Sequence, residues 1–196
     1  MAAGPLRGLV AMCLVPAAQG QLQVIAAGLP RTGTESLSEA LTMLGYGWNT
    51  HTHCNPGTVC LETACSWMLN RSNVTPLLRS IREDRMQFVA DEPLCLAYEE
   101  LAGHWPESKV VLTIRDNASQ WYRSFAEMQD LTFPHRPTAF KTPRLAKRNP
   151  GMFCDQFPHV LFGCDIYSQP VPKEDVDGCL RGYEEHIRDV KRKIPE

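Results

Sequence analysis

Nowhere does the sequence carry an apolar run that would suggest a membrane span. The uncharged run from Gly8 to Ala18 is interrupted by Pro16, followed by Gln-Gly-Gln, and far shorter than the ~20 residues a spanning helix requires. Charge of one sign is also missing: 20 Lys and Arg stand against 22 Asp and Glu, a net charge of −2. That balance excludes a generally basic nucleic-acid binder, and 21% charged residues exclude a disordered polyampholyte, while a local basic patch stays allowed. Eight cysteines in 196 residues, none in a Cys-x-x-Cys pair, are too sparse for a disulfide scaffold. Reduced thiols in a cytoplasmic protein are the simpler expectation. Metal-ligand spacing is equally thin. His51-Thr52-His53-Cys54 has no second ligand cluster to complete it, and Cys154, His159 and Cys164 are too scattered, so no metal is expected. No internal repeat or low-complexity segment is visible.

What remains is the composition of one globular domain. At this length a chain buries roughly 70% of its unfolded surface, so the 43% hydrophobic residues suffice for a core. Residues 1–20 read as an N-terminal extension, either disordered or a weak signal-like segment with Pro16-Ala17-Ala18 before a cleavage point. The second case would place the protein in the secretory pathway. Only then would the triplets at Asn70, Asn73 and Asn117 matter as glycosylation acceptors.

Strands and helices alternate from residue 21 onward. Leu22 to Ala27 is a short apolar run ending at Gly28, the pattern of a buried strand. Thr34 to Leu44 spaces Leu37, Leu41 and Leu44 as a helix does, and Gly45 stops it. Residues 57–69 and 75–85 read as two further helices. Phe88 to Ala90 is a second short strand leading into Asp91, Pro93 to Gly103 reads as a helix, and Lys109 to Ile114 is the clearest strand. A helix from about Ser119 to Gln129 follows. Residues 134–172 are Pro-rich and, up to Pro150, basic without acids, which predicts a loop or lid. Val176, Leu180, Tyr183, Ile187, Val190 and Ile194 then recur as one face of an amphipathic helix.

This order predicts an α/β fold with a short parallel sheet flanked by helices on its faces, and the loop described next makes it a three-layer fold of P-loop type. Ligands of such sheets sit at the carboxyl ends of the strands. Three landmarks fall there: Gly28 to Ser36, Asp91 and Arg115. The first is a phosphate cradle in form. Its small residues let backbone N–H groups face an anion at a helix N-terminus, Thr32, Thr34 and Ser36 add hydroxyls, and Arg31 adds positive charge. Gly28 and Gly33 fit the nucleoside-triphosphatase pattern, but the lysine position holds Thr34, which argues against ATP or GTP hydrolysis and against a kinase.

The segment Gly28-Leu-Pro-Arg-Thr-Gly-Thr-Glu-Ser-Leu37 resembles the 5′-phosphosulfate-binding loop of P-loop sulfotransferases, and Lys109 to Ser124 resembles their 3′-phosphate motif. The similarity is greatest to a branch of sulfotransferase-like proteins with a Gly-Leu-Pro-Arg-Thr-Gly-Thr loop, and it runs from about Gln23 to Glu196. The resemblance implies transfer of a sulfuryl group from 3′-phosphoadenosine-5′-phosphosulfate, as co-substrate, to a hydroxyl or amine on a small-molecule or glycan acceptor. It implies donor contacts from Arg31, Thr32, Gly33, Thr34, Glu35 and Ser36 on the 5′ side. Arg115 and Ser124 would hold the 3′ side, with Ser119 competing for the serine role. For Arg115 the alternative is a structural salt bridge to Asp116.

Asp91 is the preferred base, with His51 and His53 as alternatives; Asp91 as a cap for the helix near Pro93 is an equal and compatible reading. Trp121 and Tyr122 read first as packing aromatics. A non-catalytic nucleotide-binding relic remains the second reading of the whole chain. The resembling proteins continue past Pro195 into another strand and more helices, so the resemblance also implies a chain that stops short and leaves one side of its first strand open.

Overall fold

A computed structural model of the chain describes residues 21–46, 49–50, 63–64, 66–68, 73–132 and 173–194. The elements are β1 (Val24–Ala26), α1 (Thr34–Met43), β2 (Asn49–Thr50), α2 (Thr75–Glu83), β3 (Phe88–Val89), a 3-10 turn (Leu94–Ala97), α3 (Tyr98–His104), β4 (Lys109–Val111), α4 (Ala118–Thr132) and α5 (Lys173–Lys193). The fold is α/β, as the alternation of periods predicts. Of the helix expected over 57–69, the described residues 63–64 and 66–68 are helical. The extension 1–20, the lid region 134–172, and His51 and His53 lie outside the described residues.

The four strands form one parallel sheet in the order β2-β3-β1-β4. Val24 stands between Phe88 on one side and Lys109 on the other. The first strand is therefore central and paired along both edges, contrary to the expectation of an open side. Among the described residues the open edges are those of β2 and β4. β1 is buried along its whole length, which fits its unbroken Val-Ile-Ala run, since a strand covered on both faces has no use for polar alternation.

The chain leaves β1 toward β2 and β3, and leaves β3 across the sheet toward β4. The carboxyl ends of β1 and β3 thus flank the point where strand order reverses, the place where open α/β sheets form a ligand crevice. The segment after β3 differs from the helix expected from Pro93. Glu92–Pro93 is a cis peptide, the next four residues make a 3-10 turn, and the α-helix begins only at Tyr98.

The apolar stripe of α5 packs Cys179, Tyr183 and Val190 into the same core as Trp121 and Phe125 of α4 and Leu101 of α3. Cys95 is a buried free thiol, but Cys179 is disulfide-bonded, its partner outside the described residues. The expectation of uniformly reduced thiols does not hold; scarcity excludes a disulfide scaffold, not a single bridge. No helix among the described residues is long and apolar enough to cross a membrane.

A polar clamp fastens α5 to α3. The Tyr98 hydroxyl donates to Asp189 Oδ2 at 2.7 Å, while Lys193 Nζ reaches Glu99 Oε2 at 2.5 Å and Asp189 Oδ2 at 2.9 Å. Arg192 also pairs with Asp189. The Tyr98 hydrogen bond, helped by Lys193 and Arg192 and opposed by partial burial, holds the Asp189 carboxyl down to about 2 from its ordinary 3.8. Folded Asp189 thus releases its proton more readily than the unfolded chain does. The clamp's stabilisation is complete above about pH 4 and disappears as the pH falls toward 2. Asp189→Asn should flatten the fall in melting temperature between pH 4 and pH 2, followed by circular dichroism. An unchanged slope would assign the acid sensitivity elsewhere.

Candidate functional site

The turn after β1 is shaped by one close approach. A Cβ on Gly28 would lie 2.0 Å from Thr113 Oγ1 and 2.8 Å from the Thr113 carbonyl oxygen, so only glycine lets the ends of β1 and β4 come together. Arg31 and Gly33 then take positive φ values of 68° and 99°, which turn the chain back into α1. Gly33 is the N-cap of α1 and no side chain caps that end, so the N–H groups of the first turn remain available to an anion.

A cavity of about 280 Å³ opens at this helix end, lined by Pro30, Arg31, Gly33, Thr34, Glu35, Ser36, Asp91, Glu92, Arg115 and Met128. The structure thus brings together all three strand-end landmarks. Arg31 Nε and Arg115 Nη2 both approach Ser124 Oγ, at 3.3 and 3.4 Å. Arg115 Nε donates to the Arg31 carbonyl at 2.6 Å. Neither arginine forms an ion pair with an acid among the described residues, and Arg115 does not use Asp116. Two guanidinium groups drawn to one hydroxyl, with no carboxylate between them, are an arrangement that an anion would stabilise.

Ser124 rather than Ser119 stands with Arg115. On α4, residues 121, 124, 125 and 128 share one face by helical spacing, and that face turns toward the loop after β1. Trp121 and Phe125 are buried, Ser124 meets the arginines, and Met128 lines the cavity. Ser119 lies on the exposed side.

Thr32 does something other than expected. Its hydroxyl donates to the Leu29 carbonyl at 2.7 Å and meets Thr113 Oγ1 at 2.7 Å, its N–H bonds the same carbonyl, and the side chain is 8% exposed. It braces the loop against the end of β4 and does not line the cavity. Thr34 is buried at the cavity wall and donates from Oγ1 to Asp91 Oδ2 at 2.8 Å. Glu35 and Ser36 are exposed on the first turn of α1.

Asp91 is 4% exposed and sits at the end of β3 with φ 66°, a left-handed conformation that Asp tolerates better than most residues. Its Oδ1 accepts the Glu92 N–H at 2.8 Å, and its backbone carbonyl accepts from Cys95 N at 2.7 Å. The 3-10 turn that follows has Pro93 at its N-cap, and one Asp91 carboxylate oxygen turns to Thr34. A buried carboxylate is therefore hydrogen-bonded to the residue that follows the loop carrying Arg31, and both Asp91 and Arg31 line the cavity.

Several contributors escape a reading of local sequence. The Trp121 indole donates from Nε1 to the Pro30 carbonyl at 2.9 Å, holding the crest of the loop. The Arg115 backbone N–H donates to the Tyr183 hydroxyl at 2.7 Å. His186 Nε2 lies 2.7 Å from the Ala27 carbonyl, which can only accept, so that nitrogen carries the proton. The signal for Trp121 and Met128 was the spacing 121, 124, 128; for Tyr183 and His186 it was polar atoms on the apolar face of α5.

A larger cavity, about 570 Å³, lies between α3 and α5 beside Tyr98, Asp189 and Lys193. The charges of its clamp already neutralise one another, unlike the two arginines of the smaller one. Among the described residues no group of three or more His, Cys, Asp or Glu could hold a metal.

A parallel α/β sheet thus carries an uncapped helix N-terminus and paired arginines at its switch point. The chain belongs to the sulfotransferase domain family, whose pattern it matches over residues 23–196. It is thereby a sulfotransferase-like transferase. No curated protein matches the chain significantly.

The glycine at the turn provides a test of this geometry. Gly28→Ala should destabilise the fold by about 3 kcal/mol, read from urea unfolding, because the new methyl meets backbone as well as side chain. Adding Thr113→Ala should recover only part of the loss, since the carbonyl contact stays.

Proposed function

We propose that the protein transfers a sulfuryl group from 3′-phosphoadenosine-5′-phosphosulfate to a hydroxyl or amine of a small-molecule or glycan acceptor. The observation that carries this reading is the convergence of Arg31 and Arg115 on Ser124 beside the open N-terminus of α1. Such a donor has anions at both ends of one nucleoside, and the site offers positive groups on two separate strand-end segments. Arg31 with the backbone of residues 33–36 suits the 5′-phosphosulfate, and Arg115 with Ser124 suits the 3′-phosphate. The residues present therefore fit the co-substrate the family uses.

In that reading the acceptor oxygen or nitrogen attacks sulfur. The bond from sulfur to the phosphate oxygen breaks, and its electron pair leaves on adenosine 3′,5′-bisphosphate. Asp91 takes the acceptor's proton. The residues on the 5′ side stabilise charge building on the leaving oxygens, a task of fixed donors and dipoles rather than of covalent chemistry. Burial excludes bulk water from Asp91, and the Thr34 hydrogen bond orients its carboxylate.

A second reading, nucleotide binding without transfer, draws support from the same residue. Both Asp91 oxygens already accept a hydrogen bond, from Glu92 N–H and from Thr34.

Adenosine 3′,5′-bisphosphate should raise the melting temperature of the protein. Arg31→Ala and Arg115→Ala should each weaken its binding about 10- to 100-fold by calorimetry, the value of one charge-assisted contact or two. Stabilisation by ATP but not by the bisphosphate would defeat the proposal. Asp91→Asn should keep bisphosphate binding while abolishing release of labelled sulfate from the donor to an acceptor panel. A wild-type protein that binds yet transfers to no acceptor would favour the second reading.

A further inference from the structure

Arg115 lies four residues beyond β4, in a segment without regular structure, yet its guidanium must meet a ligand at a defined place. Three contacts hold it. Nε donates to the Arg31 carbonyl at 2.6 Å, Nη2 approaches Ser124 Oγ at 3.4 Å, and the backbone N–H donates to the Tyr183 hydroxyl at 2.7 Å. Only the last of these fixes the backbone from which the side chain departs. The Tyr183 hydroxyl also faces the Arg115 carbonyl at 3.5 Å, so it addresses both polar groups of that one residue.

The ring behind that hydroxyl has no freedom to drift. Tyr183 is 2% exposed and stacks on Trp121 with centroids 4.7 Å apart and planes 16° from parallel. Trp121 stacks in turn on Phe125 at 5.3 Å and 12°. The middle ring of this three-ring pile donates to the Pro30 carbonyl at 2.9 Å. One aromatic stack thus grips both cradles, through Tyr183 at the strand-end arginine and through Trp121 at the loop after β1.

We propose that Tyr183 is a positioning residue for Arg115 and sets the preference of the site for nucleotides bearing a second phosphate. Trp121 serves the loop that receives the phosphate common to all such nucleotides. The inference rests on the assignment of Arg115 to the 3′-phosphate made above. It adds that the Tyr183 hydroxyl on α5, which meets the Arg115 backbone rather than its guanidinium, controls how well that arginine reaches the phosphate.

The test compares two probes, adenosine 3′,5′-bisphosphate and adenosine 5′-monophosphate, by calorimetry on the full chain. The wild-type protein should bind the bisphosphate at least ~10-fold more tightly, the value of about one charge-assisted contact. Tyr183→Phe keeps the ring and the stack and removes only the hydroxyl. It should weaken the bisphosphate about 5- to 10-fold, the effect of losing one hydrogen-bond partner, and leave the monophosphate within about twofold. Trp121→Phe should weaken both probes alike and keep their ratio.

Equal weakening of both probes by Tyr183→Phe would make the hydroxyl merely structural and overturn the inference, as would no change in either. The melting temperature of each variant without nucleotide separates a general loss of folding from a selective loss of binding. A wild-type protein that does not prefer the bisphosphate would remove the 3′-phosphate assignment itself. The inference falls with it, by a result distinct from any given by the variants.

Discussion

The approach of Gly28 to Thr113 is the constraint on which the rest of the site depends. Where β1 and β4 run out, the backbone of one strand touches the side chain and carbonyl of the other with no room for a methyl group. Thr32 then closes the turn by joining Leu29 and Thr113. This local knot forces Arg31 and Gly33 into left-handed conformations and aims the start of α1 across the end of the sheet. With the backbone so placed, Arg31 and Arg115 come near each other although 84 residues separate them.

Bringing two cations together is unfavourable unless the surroundings answer it, and here the answer comes from neutral groups. The Arg31 carbonyl takes one guanidinium N–H, and Ser124 offers its oxygen to both arginines. Of the acids that line the cavity, Asp91 is tied to Thr34 and to Glu92 N–H. The cavity consequently holds both cationic and anionic groups. Such a mixture suits a reaction in which negative charge leaves and a proton departs. The contrast with the clamp at α3 and α5 is instructive, because there Lys193 and Arg192 meet Asp189 and Glu99 directly and serve stability.

Much of this was legible in the sequence because its signals are local. A short apolar run, a Gly/Thr cluster and a helical period identify strand, turn and helix without knowledge of the rest. Arg115 and Asp91 could be expected near each other because both follow strands of one parallel sheet, and the cavity they line lies at those strand ends. The failures have one physical source, which is that hydrogen-bond partners distant in sequence decide where a polar side chain turns. Thr32 looked like a ligand donor, but Thr113, 81 residues away, claims its hydroxyl. Trp121 and Tyr183 matched the spacing of ordinary core residues, and they are core; their N–H and O–H groups work at the rim of that core. The central position of β1 could not be read from its own residues, because strand order depends on which crossovers the chain makes.

The bond from His186 to the Ala27 carbonyl spans 159 residues, and those of Tyr183 to Arg115 and Trp121 to Pro30 span 68 and 91. Pairings of such high sequence separation are the slow ones in folding, because the chain must close large loops before they give any return. The loop after β1 is synthesised early, yet the supports from α4 and α5 arrive much later. During synthesis the turn after β1 leaves the ribosome well before the residues of α4 and α5 that support it, so this site can be completed only once α5 has been made.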